Sequence, residues 1–403
     1  MLPATDYYTP LNTERIQKLE DIDWDFSDAK TGYLTHSVHP YPAKFIPQIP
    51  RTLIRELAST GDTVLDPFCG SGTTLVEAIR MECNAIGIDA SPLACMISRA
   101  KTAKLDERGA SILNALYDEV MQTAQNTFAD DAPLFKDTAV FIDIVYENIF
   151  KGVEDWFDKD VISELVYIKS KCKQVEAGEL RDIALAAFSS IIVTVSRQDS
   201  DTRYVRREKK NKRGDCLRLF CKSLKDFIRR SLELSEEVTI KNFVQVHEAS
   251  ILQPPPLANI DLVVCSPPYP NAYSYHLYHR TRMLWLDMDQ PKFKQEEIGS
   301  HRKYSNKGKN KATVETFRKE FFQIFTWLST SLKHNGYACF VIGDSTLDGE
   351  TIKNDQLIIN EALKCGFHLE ANIQRNLLGT KKSFNPKIGK IRDEHIVILS
   401  NKQ

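Results

Sequence analysis

An open, doubly wound α/β sheet carrying a helical insertion is the fold this sequence predicts, and three observations predict it. The β-branched run Thr63-Val64-Leu65 leads into Asp66-Pro67-Phe68-Cys69-Gly70-Ser71-Gly72-Thr73-Thr74 and then a helical apolar pattern at Leu75, Val76 and Ile79. A second strand, Ala85-Ile86-Gly87-Ile88-Asp89, ends in an acid, and Ser91-Pro92 opens another helix with Ser at the cap and Pro in the first turn. After a long helical stretch, the alternation resumes with Phe243-Val244-Gln245-Val246 and Asp261-Leu262-Val263-Val264. Strand, helix, strand, helix is one half of a doubly wound sheet, and ligands of such sheets bind at the carboxyl ends of the strands.

The remaining elements follow in chain order. The first thirty or so residues are polar, with Trp24 and Phe26 as anchors onto a core. His36-Ser37-Val38-His39-Pro40-Tyr41-Pro42-Ala43-Lys44-Phe45-Ile46-Pro47 holds three prolines, which preclude a helix interior. Leu53, Ile54 and Leu57 mark a short helix ending near Gly61. From about 105 to 235 glycine is rare, and apolar residues recur at helical spacing, as in Ile162, Leu165 and Val166, then Ile183, Leu185, Ala186, Phe188 and Ile191. This stretch is read as a helical insertion ending in a basic run, with 1–104 and 236–403 forming the catalytic domain around it. A helix over 317–332, a strand over 337–342 and strands near 367–374 and 395–399 close the pattern; the loop between the last two carries Gly379, Lys381, Lys382 and Pro386.

Bulk properties narrow the class. The 403 residues are 42% hydrophobic, enough for a large core, and the net charge of -1 means that any nucleic-acid surface must come from local clustering. Nine cysteines occur with no C-x-x-C pair, which argues against a disulfide framework or a zinc site. The first residues lack the basic and apolar regions of a signal peptide, and no apolar run is long enough to span a bilayer. The expectation is a cytoplasmic protein.

The first loop has the chemistry of a nucleoside-cofactor cradle. Gly70 and Gly72 let the backbone come close, Asp66 can take an ammonium through charge-assisted bonds, and Asp89 sits where an acid accepts both ribose hydroxyls. Glu248, after the next strand, is placed for the adenine edge or the ribose. A phosphate-binding P-loop is excluded because no Lys follows Gly72, and a dinucleotide fingerprint because position 75 is Leu. Cys69 reads as a small buried hydrophobe rather than a nucleophile.

The second loop, Ser266-Pro267-Pro268-Tyr269, suits a planar amine. Ser266 offers a hydroxyl acceptor and Pro267 a rigidly presented carbonyl. Tyr269 offers a ring on which an extruded base can stack. Carbon-5 cytosine chemistry needs a Pro-Cys nucleophile, and Cys265 has no Pro before it.

These residues together resemble the S-adenosylmethionine-dependent DNA amino-methyltransferases, and Ser-Pro-Pro-Tyr in particular resembles the cytosine-N4 type. The resemblance implies a class I methyltransferase sheet, S-adenosylmethionine as cofactor, duplex DNA as substrate and a flipped target base, with no covalent intermediate, metal or membrane. Tyr41, Pro42, Ala43, Lys44 and Phe45 look like the segment lining the methionine end. Asp66, Pro67, Phe68, Gly70, Ser71, Gly72, Thr73 and Thr74 look like the cofactor loop. Asp89, Ala90 and Ser91 look like the ribose side, and Glu248 and Ala249 like the adenine side. Phe340-Val341-Ile342-Gly343-Asp344 and Arg375-Asn376-Leu377-Leu378-Gly379-Thr380-Lys381-Lys382-Ser383-Phe384 resemble later elements of the fold and of the target-base pocket. In many cytosine-N4 enzymes the catalytic loop precedes the glycine loop; here the order is the circularly rearranged one. The setting implied is restriction-modification or related self-marking, with a cognate restriction endonuclease as a further partner. The alternatives are an adenine-N6 enzyme, an RNA base methyltransferase and an inactive module that keeps the cofactor and nucleic-acid sites.

The usual places for a target-recognition domain hold few residues in this sequence, so recognition is expected from the insertion or from the loop at about 287–312. Arg203, Arg206, Arg207, Lys209, Lys210, Lys212 and Arg213 form one basic run; Arg302 and Lys303 belong to a second, and Lys381 and Lys382 to a third. Such runs neutralise phosphates. Tyr273, Tyr275 and Tyr278 follow the catalytic loop and suit either a base-pocket wall or core packing. His276 and His279 are expected to serve in hydrogen bonds rather than at a metal.

Overall fold

The computed structural model describes residues 13–128, 149–238, 241–271, 273–305, 311–376 and 393–403. Chain order begins with α1 (Thr13–Glu20), α2 (Gln48–Leu57), β1 (Thr63–Asp66), α3 (Thr73–Arg80), β2 (Asn84–Asp89) and α4 (Pro92–Thr102). The insertion then supplies α5 (Glu107–Phe128), α6 (Lys159–Gln174), α7 (Glu179–Val195), β3 (Gln198–Ser200), β4 (Arg203–Arg206) and α8 (Asp215–Glu237). Next come β5 (Val244–Glu248), β6 (Ile260–Cys265) and the short helices α9 (Tyr275–Tyr278), α10 (Arg280–Trp285), α11 (Gln290–Glu296) and α12 (His301–Tyr304). The described elements end with α13 (Val314–Ser331), β7 (Leu332–Gly343), β8 (Ser345–Leu347), β9 (Glu350–Ile352), α14 (Asn354–Lys364), β10 (Phe367–Asn376) and β11 (Asp393–Asn401).

Seven strands make one sheet in the order β10-β11-β7-β6-β1-β2-β5. The pairs from β7 to β5 are parallel, whereas β11 runs antiparallel to both β7 and β10. This is the doubly wound, mostly parallel α/β sheet that the sequence predicts. After β1 the chain builds outward through β2 to β5, then returns to lay β6 on the other side of β1. The topological switch point therefore lies between β1 and β6, where such sheets bind ligands.

The parallel strands are apolar on both faces because helices cover both. Val64, Ala85, Leu262, Val264, Cys339 and Val341 pack on α2 and α3 through Ile49, Leu53, Leu75 and Ile79. On the opposite face Leu65, Val263, Cys265, Phe340 and Ile342 meet Phe317, Phe321, Phe325 and Leu328 of α13. The insertion forms a third cluster that is continuous with Leu93, Met96, Ile97 and Ala100 of α4 and with Trp285 and Phe293. No helix of the described residues is long and apolar enough to cross a membrane.

Three sequence-level expectations need correction. The basic run does not end the insertion: its first residues form β4, which pairs with β3, and α8 follows it. The helix expected over 317–332 begins at Val314, because the Thr313 hydroxyl accepts from Thr316 N and Thr316 reciprocates, a cap that precedes the apolar pattern. Residue 243 stays outside β5, although its carbonyl still accepts from Ala85 N.

Candidate active site

Two loops leave adjacent strands at the switch point. The register Val64↔Leu262 and Leu65↔Val263 sets the end of β1 level with that of β6, and the Thr74 hydroxyl ties α3 back to the Val264 carbonyl at 3.3 Å. Gly72 caps α3 at φ 77°, and a Cβ there would crowd Ser98 of α4. The loop therefore wraps tightly between α3 and α4.

Asp66 ends β1, is 2% exposed and accepts from Phe68 N at 3.0 Å. Burial lifts its carboxyl to about 7, against the pull of the Thr74 and Phe68 hydrogen bonds. Asp89 ends β2. Its two oxygens accept from Gly70 N at 2.9 Å and Ser91 N at 2.8 Å, and burial lifts its carboxyl to about 6. Each of these oxygens keeps a second lone pair for a hydroxyl. Asp89 and Glu248 are register partners on β2 and β5, and Glu248 is exposed. Ala249 N donates to the Asp89 carbonyl at 3.0 Å. No ion pair among the described residues reaches Asp66, Asp89 or Glu248. Two acids raised by burial with no cation beside them, and the buried Ser71 hydroxyl without a partner, fit a polar, positively charged nucleoside.

The proline-rich segment closes over this loop. The Tyr41 ring lies against Gly70, stacks on Tyr275 at 5.9 Å between centroids and meets His279 at 4.9 Å. Lys44 turns back to the His36 carbonyl at 2.6 Å. His36 and Tyr33 share the buried Glu77, which Arg80 also holds. Pro42, Ala43 and Phe45 follow Tyr41, with Ala43 in the left-handed region at φ 55°. Phe68 turns away from the loop and stacks on Phe321 of α13 at 6.3 Å. All nine cysteines are buried and free, Cys69 among them.

Ser266, Pro267, Pro268 and Tyr269 leave β6 as an irregular segment. No hydrogen bond among the described residues reaches the Pro267 carbonyl. The Tyr269 hydroxyl donates to Glu394 Oε1 at 3.4 Å. Gly299, at φ 73°, packs on this segment, and a Cβ there would collide with the Tyr269 carbonyl. Just before it, the buried Glu297 accepts from Tyr275 N, His276 N and His276 Nδ1. Sequence reading missed Glu297, Gly299 and Glu394, since nothing local marks them. His276 matches its expected hydrogen-bonding role. His279 does not: both ring nitrogens are buried without a partner, and burial with the nearby Arg282 lowers it to about 3.

The basic residues divide. Arg203 and Arg207 face Asp199, Arg206 faces Asp155 and lies over the Trp156 ring, and Lys209 donates to the Val193 carbonyl at 2.7 Å. Lys210, Lys212 and Arg213 are exposed and have no ion pair among the described residues. Gln198 joins the β3–β4 hairpin to the Tyr278 carbonyl and to Thr281, beside the aromatic wall. Arg302 is exposed on α12, and Lys303 donates to the Gln295 carbonyl. Lys381 and Lys382 lie outside the described residues. Asp344, Asp355 and His395 gather within 4.8 Å, yet Lys353 holds Asp344, and Asn372 and Gln356 hold Asp355.

A family model described as DNA methylase, covering N6- and N4-type enzymes, matches residues 5–100, which include the proline-rich segment, the glycine loop and Asp89. Over these residues the chain is similar to the DNA amino-methyltransferases. S-adenosylmethionine is the family's cofactor. Type II methyltransferase M.MjaII of Methanocaldococcus jannaschii is 39% identical over 111 residues, 25% of this chain and 21% of that protein. Type II methyltransferase M.MvaI of Kocuria varians is 25% identical over 286 residues, 65% of this chain and 60% of that protein. Type II methyltransferase M2.DpnII of Streptococcus pneumoniae is 40% identical over 102 residues, 24% and 37% of the two chains. The chain thus spans less than two thirds of each of these relatives.

Proposed function

We propose that this protein is a DNA methyltransferase that uses S-adenosylmethionine to methylate the exocyclic N4 amine of cytosine in duplex DNA, on a base turned out of the helix. One observation carries the reading: the Ser266–Tyr269 segment leaves β6 at the switch point, level with the glycine loop and its uncompensated acids. The cofactor, when bound, supplies an electron-poor methyl carbon. Asp66 would take its ammonium, Asp89 its ribose hydroxyls and Glu248 its adenine side, with Tyr41 closing over Gly70.

Cytosine's amine is conjugated and a weak nucleophile. The Ser266 hydroxyl and the free Pro267 carbonyl would accept its two hydrogens and turn its lone pair toward the methyl carbon. As the new C–N bond forms, the methyl's bond to the cofactor sulfur would break and its electron pair stay on sulfur as a neutral thioether. The nitrogen gains positive charge, both contacts strengthen, and one amine proton, from the hydrogen that faces Ser266 or Pro267, would pass to water. The Tyr269 ring would stack on the base, worth about 1–3 kcal/mol. The catalytic part would be 1–104 with 236–403. The insertion at 105–235 would read DNA through Lys210, Lys212 and Arg213, and Arg302 and the β10–β11 connection with Lys381 and Lys382 would add phosphate contacts. The relatives' description as Type II methyltransferases supports a restriction-modification setting with a cognate endonuclease.

Nucleoside mass spectrometry of DNA from cells expressing the protein tests this. N4-methylcytosine is expected. N6-methyladenine would replace cytosine by adenine as the target, and a mark confined to RNA, or no mark, would overturn the reading.

A further inference from the structure

We propose that Glu394, held by Arg375, is a positioning residue for the catalytic segment: it fixes the Tyr269 ring through its phenol oxygen and ties it to the β10–β11 stem. The inference rests on the methyltransferase reading and goes one step past it. Arg375, Glu394 and Gly343 form a cross-strand row, since Arg375↔Glu394 and Glu394↔Gly343 are register partners. Arg375 Nη1 donates to Glu394 Oε2 at 2.8 Å, and the Tyr269 hydroxyl points at Glu394 Oε1 from 3.4 Å. One phenol oxygen therefore ties the segment after β6 to an ion pair between β10 and β11.

The ion pair is not explained by the sheet, whose backbone ladder already joins β10, β11 and β7. Arg375 is 5% exposed at its side chain and Glu394 14%, so both charges have given up most of their water. Such pairs rarely add net stability, and their geometry is what they contribute. A ring needed only for stacking requires no hydroxyl. Here the hydroxyl fixes where the ring face lies. The 3.4 Å separation is long for a hydrogen bond, and catalytic contacts commonly tighten once substrate is bound.

The test compares the wild type with Y269F, E394Q and the double variant in single-turnover methyl transfer at saturating duplex DNA, with S-adenosylmethionine affinity from calorimetry and melting temperature alongside. Each single variant should slow transfer roughly tenfold, the scale of one hydrogen bond to a charged group. Cofactor affinity should stay within about twofold. The double variant should be no slower than the slower single one, because both remove the same contact. Y269F transferring at the wild-type rate, or losses that multiply in the double variant, would overturn the proposal. Should E394Q fold poorly, R375Q/E394Q removes both charges together and should show the same loss and the same non-additivity with Y269F. If the wild type methylates no DNA, the functional reading fails by itself. The contact is then decided by NMR of tyrosine-labelled protein, where the ζ-carbon signal missing in Y269F should shift in E394Q; an unmoved signal rejects the contact.

Discussion

Burial lifts the carboxyl of Asp66 to about 7 and that of Asp89 to about 6, and no ion pair among the described residues reaches either. In the proposed site a cationic cofactor would bind their ionised forms, so protons would have to leave when it binds below neutrality. Affinity for S-adenosylmethionine should therefore rise between about pH 5 and pH 8, and calorimetry of Asp66→Asn should show a flatter profile; a wild-type slope in that variant would remove Asp66 from the site. The sign for stability follows from the same shift. The raised carboxyl favours the folded state while protonated, and that contribution is lost as pH rises through about 7. Asp66→Asn should thus raise the melting temperature of the cofactor-free protein more at pH 8 than at pH 5. These acids were legible in the sequence because each ends a β-branched run. Glu394 was not: one acid at the edge of an apolar strand is unremarkable, and Tyr269 lies 125 residues from it.

Among elements, the turn around Gly299 bears on the catalytic segment most directly. Gly299→Ala adds a Cβ where the Tyr269 carbonyl sits, at a φ that side chains rarely adopt. Single-turnover transfer should drop at least tenfold while cofactor affinity holds, since the glycine loop is untouched; an unchanged rate would show that the segment tolerates displacement. The basic run divides by the partners its residues already have. Replacing Lys210, Lys212 and Arg213 by Ala should weaken DNA binding and lower its salt slope, because fewer counterions are released. Lys209→Ala should instead lower the melting temperature, as Lys209 holds the Val193 carbonyl. An unchanged salt slope in the triple variant would leave the run as a solvated surface. The strands and loops that flank the switch point could be read from periodicity, whereas β3 and β4 could not, because a short polar hairpin has the composition of a loop.

Over the whole molecule, the insertion and α4 share a core. Leu93, Met96, Ile97 and Ala100 of α4 pack among Leu165, Phe188, Phe220 and Phe227. Helical texture marked where the insertion lies but not what it packs against, since periodicity identifies a buried face without naming its partner. Replacing 107–237 by a short linker should strip that face of α4 and abolish cooperative unfolding, measured by calorimetry. A sharp transition with retained cofactor binding would show that the sheet stands without it.

The central pairing of the sheet also sets an order of events during synthesis. Thr63 N of β1 donates to the Asp261 side chain of β6, a contact spanning 198 positions. At about 5–20 residues per second, β6 leaves the ribosome roughly 10–40 s after β1. Throughout that interval one edge of β1 has no strand to pair with, and Val64 and Leu65 await the helices and strands that cover them. Contacts of such separation close slowly and leave unpaired edges open to wrong partners. The nascent chain is thus most vulnerable to aggregation while the insertion is being made, and chaperone dependence should be concentrated in that window.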